Sequence, residues 1–324
     1  MVAVGGGVAL VRRRLTPCCV TCRLAFRPAG RRPDAGGVTH VVDAPGLRAA
    51  LAAQRAVRLL DVRWRLDQPE GRPAYLAAHL PGAVYVDLER ELSRVGHPED
   101  GRYPLPDAAA LERAARGWGL DDGDLVVAYD DNDGVAASRA WWLLRRHGVD
   151  VRVLDGGIRA WVGQGLPVES GDRVAPTGRV RLRATDASDD GVATIDDAAR
   201  APLEGTLIDV RAPDHYRGSS AGADPAAGHI PGAVNIPTVS YIDRDGRLRG
   251  PEQIRAVLRV GGVDLTREIV LYCSVGIAST HSALALAQAG IDARVYPGSW
   301  SQWSRTRGRP VAVGPTPGDA FRGW

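Results

Sequence analysis

The sequence predicts an α/β protein of two tandem domains, each a mostly parallel central sheet flanked by helices. Three observations carry this prediction. Short apolar, β-rich runs alternate with helical segments along most of the chain, which is the signature of βα units wound on a parallel sheet. The same motifs occur twice in the same order, which marks an internal duplication. The chain has 324 residues, of which 44% are hydrophobic, enough for two domains with cores of their own.

In the first copy, residues 59–64 (LLDVRW) form an apolar strand ending in Asp-Val-Arg. Residues 79–84 (HLPGAV) give a turn, with a further strand expected at 85–88. Residues 108–116 have helical spacing, 126–130 (VVAYD) read as a buried strand, and 138–146 as the helix after it. Residues 153–161 (VLDGGIRAW) complete the unit. The second copy repeats the series with LIDVRA at 207–212, HIPGAV at 229–234 and a strand expected at 235–237. A helix at 253–259, the strand IVLYC at 269–273, an alanine-rich helix at 280–289 and VYPGSWSQW at 295–303 follow.

Residues 169–190, rich in Gly, Pro, Ser, Thr and Asp, read as the linker. The expected domains are therefore 38–168 and 191–314, with a tail at 315–324. Residues 1–37 differ in composition, with a glycine run, Arg12 to Arg14 and an Arg/Pro/Gly stretch. They are expected to be a disordered extension, or the product of a start codon set too far upstream. Thr16, Pro17 and the nearby cysteines interrupt any apolar signal-peptide segment.

A formal net charge of +3 is small for this length and gives no reason to expect nucleic acid or an acidic membrane surface as partner. Every basic side chain is arginine, since the sequence contains no lysine. No apolar run is long enough to span a membrane. Three of the four cysteines (Cys18, Cys19, Cys22) fall in the extension, so no disulfide framework is expected and a reducing, cytoplasmic setting is inferred. Cys19 and Cys22 form a lone C-x-x-C without the second pair or histidine that a zinc site requires. No metal or organic cofactor is expected.

Cys273 stands where the strand 269–272 hands over to a helix. Free N–H groups and the positive end of the helix dipole favour thiolate over thiol there, so Cys273 is a candidate nucleophile; a buried structural cysteine is the alternative. The loop Ser274, Val275, Gly276, Ile277, Ala278, Ser279 follows it. Its backbone N–H groups would form a nest for an anion, with Gly276 allowing the curl or simply serving a turn. Asp130 holds the equivalent place in the first copy. Both residues lie beyond the carboxyl ends of strands, where open parallel sheets bind ligands.

The paired D-V-R, H-[IL]-P-G-A and [LY]-[DP]-G-[GS]-[IW] motifs, with a lone cysteine in the second copy only, resemble the tandem rhodanese-type sulfurtransferases over residues 38–314. The resemblance implies two rhodanese-like domains, the first inactive and the second catalytic. It implies a Cys273 persulfide that carries sulfur from a small anionic donor, 3-mercaptopyruvate or thiosulfate, to a cyanide or thiol acceptor, with a thioredoxin-like reductant as a further partner. Thiosulfate-specific members tend to carry basic residues in the cysteine loop. This loop has none and resembles the mercaptopyruvate type in charge, although Val275 stands where that type has a serine. Ser274 and Ser279 are candidates to supply the hydroxyl, and Ser279 reads equally as a helix N-cap.

An anionic donor needs a cation. Where the family has an arginine before the aromatic residue, this chain has His215, so Arg217 becomes the candidate clamp. Arg211 is expected mainly to pair with a carboxylate, with Asp209 supporting the same strand end. Arg139 is read as a solvated helix arginine first and as an interdomain contact second. His79, repeated as His229, is read as a structural hydrogen bonder, with a place near the domain interface as the alternative. Trp300 and Trp303 are expected to wall the loop.

Three rival functions stand beside this one, the third being zinc or redox work by Cys18, Cys19 and Cys22. A phosphatase on the same fold requires an arginine six positions after the cysteine, where Ser279 stands. A persulfide carrier or regulatory module without turnover fits the departures at Val275 and His215.

Overall fold

The computed structural model describes residues 1–3, 39–53, 56–185, 191–220 and 222–320. Residues 4–38, with Cys18, Cys19 and Cys22, lie outside the described residues, and so does the expectation for the extension.

The first half runs β1 (Val41–Val42), α1 (Ala44–Ala52), β2 (Val57–Asp61), α2 (Arg72–Ala77), β3 (Val84–Tyr85) and α3 (Leu88–Glu91). It continues with α4 (Ala108–Gly117), β4 (Leu125–Tyr129), α5 (Ala137–Arg146), β5 (Asp150–Leu154) and α6 (Gly157–Gly163). The second half runs α7 (Ile195–Glu204), β6 (Thr206–Asp209), α8 (Pro213–Arg217), β7 (Val234–Asn235) and α9 (Pro251–Val260). It closes with β8 (Ile269–Tyr272), α10 (Ala278–Gln288), β9 (Arg294–Val295) and α11 (Ser299–Trp303).

Each half is a parallel sheet, in the orders β1-β5-β4-β2-β3 and β7-β6-β8-β9. The counterpart of β1 in the second half is reduced to a bridge between Val192 and Val295. The central strands β4 and β8 are buried at every position. Continuous apolar runs such as LVVAY and IVLY are what a strand covered on both faces requires.

Two expected strands are shorter than the sequence suggests. The run expected at 85–88 stops at Tyr85 because the Asp87 carboxylate caps α3, accepting from the N–H groups of Glu89 and Arg90. The run expected at 235–237 stops at Asn235, and a 3-10 turn at Thr238–Tyr241 follows. The described part of 169–190 has no helix or regular strand, yet it is not a free linker. Glu169 bridges to His79, the Val180 N–H donates to Leu120 O and that of Arg183 to His147 O, and Val180 is buried. Several of its backbone groups are thus bonded to the first half. The tail likewise returns to the second half, where the Gly232 N–H donates to Pro317 O.

The described residues between 39 and 320 form one unit. A shared core runs from Trp141, Leu144 and Val153 of the first half to Ile208, Leu271 and Leu286 of the second, with α5 packed against α10. The N-termini of these two helices carry the two equivalent loops. Among the described residues no helix is long and apolar enough to cross a membrane.

Candidate active site

Cys273 follows the last residue of β8, and its side chain is 2% exposed. The loop after it curls back so that the Gly276 N–H donates to Cys273 Sγ at 3.1 Å. Gly276 has φ of +77°, and a Cβ there would lie 2.2 Å from Pro297 O. Only glycine makes this turn and fits this gap.

Two hydroxyls complete the surroundings of the sulfur. Ser279 Oγ lies 3.6 Å from Sγ. Of the two readings of Ser279, the N-cap is not found: α10 starts at Ala278, Ile277 holds the cap position without a side-chain bond, and Ser279 faces the thiol. The second hydroxyl belongs to Ser299, missed in the sequence. It accepts the Cys273 N–H at 3.2 Å, lies 4.0 Å from Sγ and donates to Tyr296 O. Ser299 has φ of +52°, a left-handed conformation rare for a residue with a side chain. Ser274 is half-buried and its carbonyl accepts from the Ser301 N–H, while Val275 is buried in the shared core.

The first half shows the same loop with an anion inside. The Asp130 carboxylate, fully buried, accepts from the N–H groups of Asn132, Gly134, Ala136 and Ala137 at 2.8–3.0 Å. Burial pushes this carboxyl above its ordinary value, and the backbone donors pull against that rise. A nest of this kind holds negative charge with no side-chain cation.

Arg211 and Asp209 form a buried pair at 2.6 Å that also reaches Gly228 O. Burial pulls the guanidinium pKa down, and Asp209 outweighs it, leaving the value above the ordinary one. Arg63 and Asp61 repeat this pair in the first half. The Arg211 guanidinium lies 4.7 Å from the Trp300 ring centre, and the Trp300 N–H donates to Cys273 O. Trp300 thus braces the strand end by cation–π contact and by a backbone bond.

Arg139 differs from the expectation of a solvated helix arginine. It is fully buried and crosses to the second half, where Nη1 donates to Gly276 O at 3.0 Å. Leu92 O and Tyr103 O accept from its Nε and Nη2. His79 is buried in the first half, stacked on Tyr75 with Nδ1 against Tyr75 O, and His229 does the same with Tyr216. Both are structural hydrogen bonders, and neither contact lies at the interface of the halves. The structure does not bring Arg217 or His215 to the loop: Arg217 is exposed and ion-pairs with Asp214, and His215 Nδ1 faces Ser220 O.

A cleft of about 720 Å³ lies between the halves, bounded by Glu99 on one side and by Asp224 and Arg305 on the other. The two Asp224 oxygens are held by Arg102 and Arg305. The Arg102 N–H donates to Ser301 Oγ, and the Ser301 N–H donates to Ser274 O, so the cleft wall is one residue removed from the cysteine loop. No group of side chains fit to hold a metal ion occurs among the described residues.

The sequence matches the rhodanese-like domain twice, over residues 43–164 and 194–306. The chain belongs to the tandem rhodanese sulfurtransferases. It is 41% identical to the "Putative thiosulfate sulfurtransferase SseB" of Mycobacterium tuberculosis, across 85% of this chain and 97% of that protein. It is 39% identical to the "Probable 3-mercaptopyruvate sulfurtransferase" of Pseudomonas aeruginosa, across 82% and 95%. The crystal structure of SseA from Escherichia coli, described among 3-mercaptopyruvate sulfotransferases, superposes with a TM-score of 0.70 at 29% identity, covering 81% of this chain and 99% of that one. This rhodanese is therefore a sulfurtransferase, acting between a sulfur donor and a thiophilic acceptor.

Proposed function

We propose that the second half is the catalytic domain and the first a domain without turnover, and that Cys273 carries the sulfur, with 3-mercaptopyruvate as the preferred donor. The observation that carries the choice of donor is the state of the cations near the sulfur. The loop has no basic residue, and the two guanidiniums whose charge bears on Cys273, Arg139 and Arg211, are committed to carbonyls and to Asp209. A thiosulfate dianion requires a cation with N–H donors free to reach it at the reacting sulfur, whereas mercaptopyruvate presents a neutral thiol there and its single carboxylate further out.

The Cys273 thiolate attacks the mercaptopyruvate sulfur. The Sγ–S bond forms, the C–S bond breaks with its electron pair left on the methylene carbon, and the donor thiol proton ends on that carbon, giving pyruvate. The Ser279 and Ser299 hydroxyls stand at the sulfur where this proton must pass. Backbone N–H groups of the loop hold the resulting persulfide anion, as the first-half loop holds Asp130. In the second half-reaction a thiolate or cyanide attacks the outer sulfur, the S–S bond breaks, and the Cys273 thiolate is restored. A thioredoxin-like reductant in the cytoplasm fits as the acceptor of the second step.

Steady-state turnover with 3-mercaptopyruvate and with thiosulfate, each with cyanide and with a dithiol acceptor, tests the reading. Higher kcat/KM with 3-mercaptopyruvate supports it, and higher kcat/KM with thiosulfate overturns the choice of donor. A persulfide that forms without turnover would establish a carrier instead.

A further inference from the structure

Among the described residues three arginines are buried: Arg63, Arg139 and Arg211. Two of them carry a carboxylate in a forked contact, Arg63 with Asp61 and Arg211 with Asp209. Arg139 has three carbonyls, those of Gly276, Leu92 and Tyr103, and no carboxylate pairs with it among the described residues. Burial pulls its pKa down to about 10, so it stays charged at neutral pH. A buried charge without a counter-ion is costly, and an interface between two domains can be fastened by apolar side chains without that cost. The ionisable group that Arg139 faces across the Gly276 peptide is Cys273.

The route between them is short. Arg139 Nη1 fixes the Gly276 carbonyl, and the Gly276 N–H is the backbone donor to Cys273 Sγ. Neighbouring groups of the second half do not supply this charge: Arg211 is tied to Asp209, and burial holds the Tyr272 phenol far above its ordinary pKa.

We propose that Arg139 is a positioning residue of sulfur transfer: the first half lends it to the second as the counter-charge that fixes the Gly276 loop and stabilises the thiolate and persulfide anions at Cys273. This rests on Cys273 as the sulfur carrier. It gives the first half a share in the chemistry despite its lack of a cysteine, since among the described residues the buried arginine of the catalytic half, Arg211, is already paired with Asp209.

The test uses full-length chain with Arg139→Lys, Arg139→Gln and Arg139→Met. Alkylation of Cys273 by anionic iodoacetate and by neutral iodoacetamide is followed on the Cys273 peptide by mass spectrometry, beside the rate of sulfur loading in one turnover. Gln and Met should lower the iodoacetate-to-iodoacetamide rate ratio by roughly five- to tenfold and slow loading by a similar factor, with Lys restoring the ratio. An unchanged ratio in folded Gln and Met variants overturns the proposal. Should those variants unfold, the Lys variant decides: it keeps the charge without the three-carbonyl fork, so a ratio lost in folded Arg139→Lys also overturns it. Wild-type Cys273 that takes up no sulfur sinks the carrier reading instead, while the alkylation ratio still reports the field of Arg139.

Discussion

Ser299 Oγ accepts the Cys273 N–H at 3.2 Å and lies 4.0 Å from the Cys273 sulfur. The contact holds Ser299 in a left-handed conformation, which costs about 1–3 kcal/mol. Ser299→Ala should reduce kcat with 3-mercaptopyruvate by about tenfold, the equivalent of one hydrogen bond lost in the transition state. Steady-state kinetics measure this, and an unchanged kcat would leave Ser279 as the sole hydroxyl involved.

Gly276→Ala should remove both activity and local order. The added methyl would stand 2.2 Å from Pro297 O at a φ of +77°, so the loop must open and the bond from the Gly276 N–H to Sγ must break. A loss of more than about 2 kcal/mol in urea unfolding is expected, with no persulfide by intact mass.

The strand, loop and helix around Cys273 were legible because their signals are local: a buried apolar run, one glycine and an alanine-rich helix. The repeat gave the place of Asp130 but not its four backbone donors, which depend on how the loop curls. The sequence favours a solvated Arg139 over the interdomain contact that the structure shows, because its partner Gly276 comes from the other half and helical spacing says nothing of docking between domains. Ser299 gave only the faint signal of following Pro297 and Gly298. Arg217, two places after the family's arginine position that His215 holds, is exposed.

Arg211→Leu leaves the buried Asp209 carboxylate without its partner and removes the cation from the Trp300 ring. A destabilisation of roughly 3–5 kcal/mol is expected. Replacing both partners by apolar residues should recover a large part of it, as a double-mutant cycle in urea would show.

His281 lies buried in α10 with Nδ1 against Thr238 Oγ1 at 2.7 Å, and burial lowers its pKa to about 4. Between pH 6.5 and pH 4 the unfolded chain binds a proton there that the folded chain refuses. Stability should therefore fall as pH drops through this window, by an amount on the order of 3 kcal/mol. Urea midpoints at pH 7 and pH 5 measure the fall, and His281→Gln should flatten it.

The central claim is that sulfur travels on Cys273. Intact-mass analysis of the protein after 3-mercaptopyruvate without acceptor, with the adduct mapped by peptide, tests it most directly. The account predicts one added sulfur on Cys273, removed by cyanide and absent from Cys273→Ser. Turnover that persists in Cys273→Ser, or sulfur found only on other residues, would contradict it.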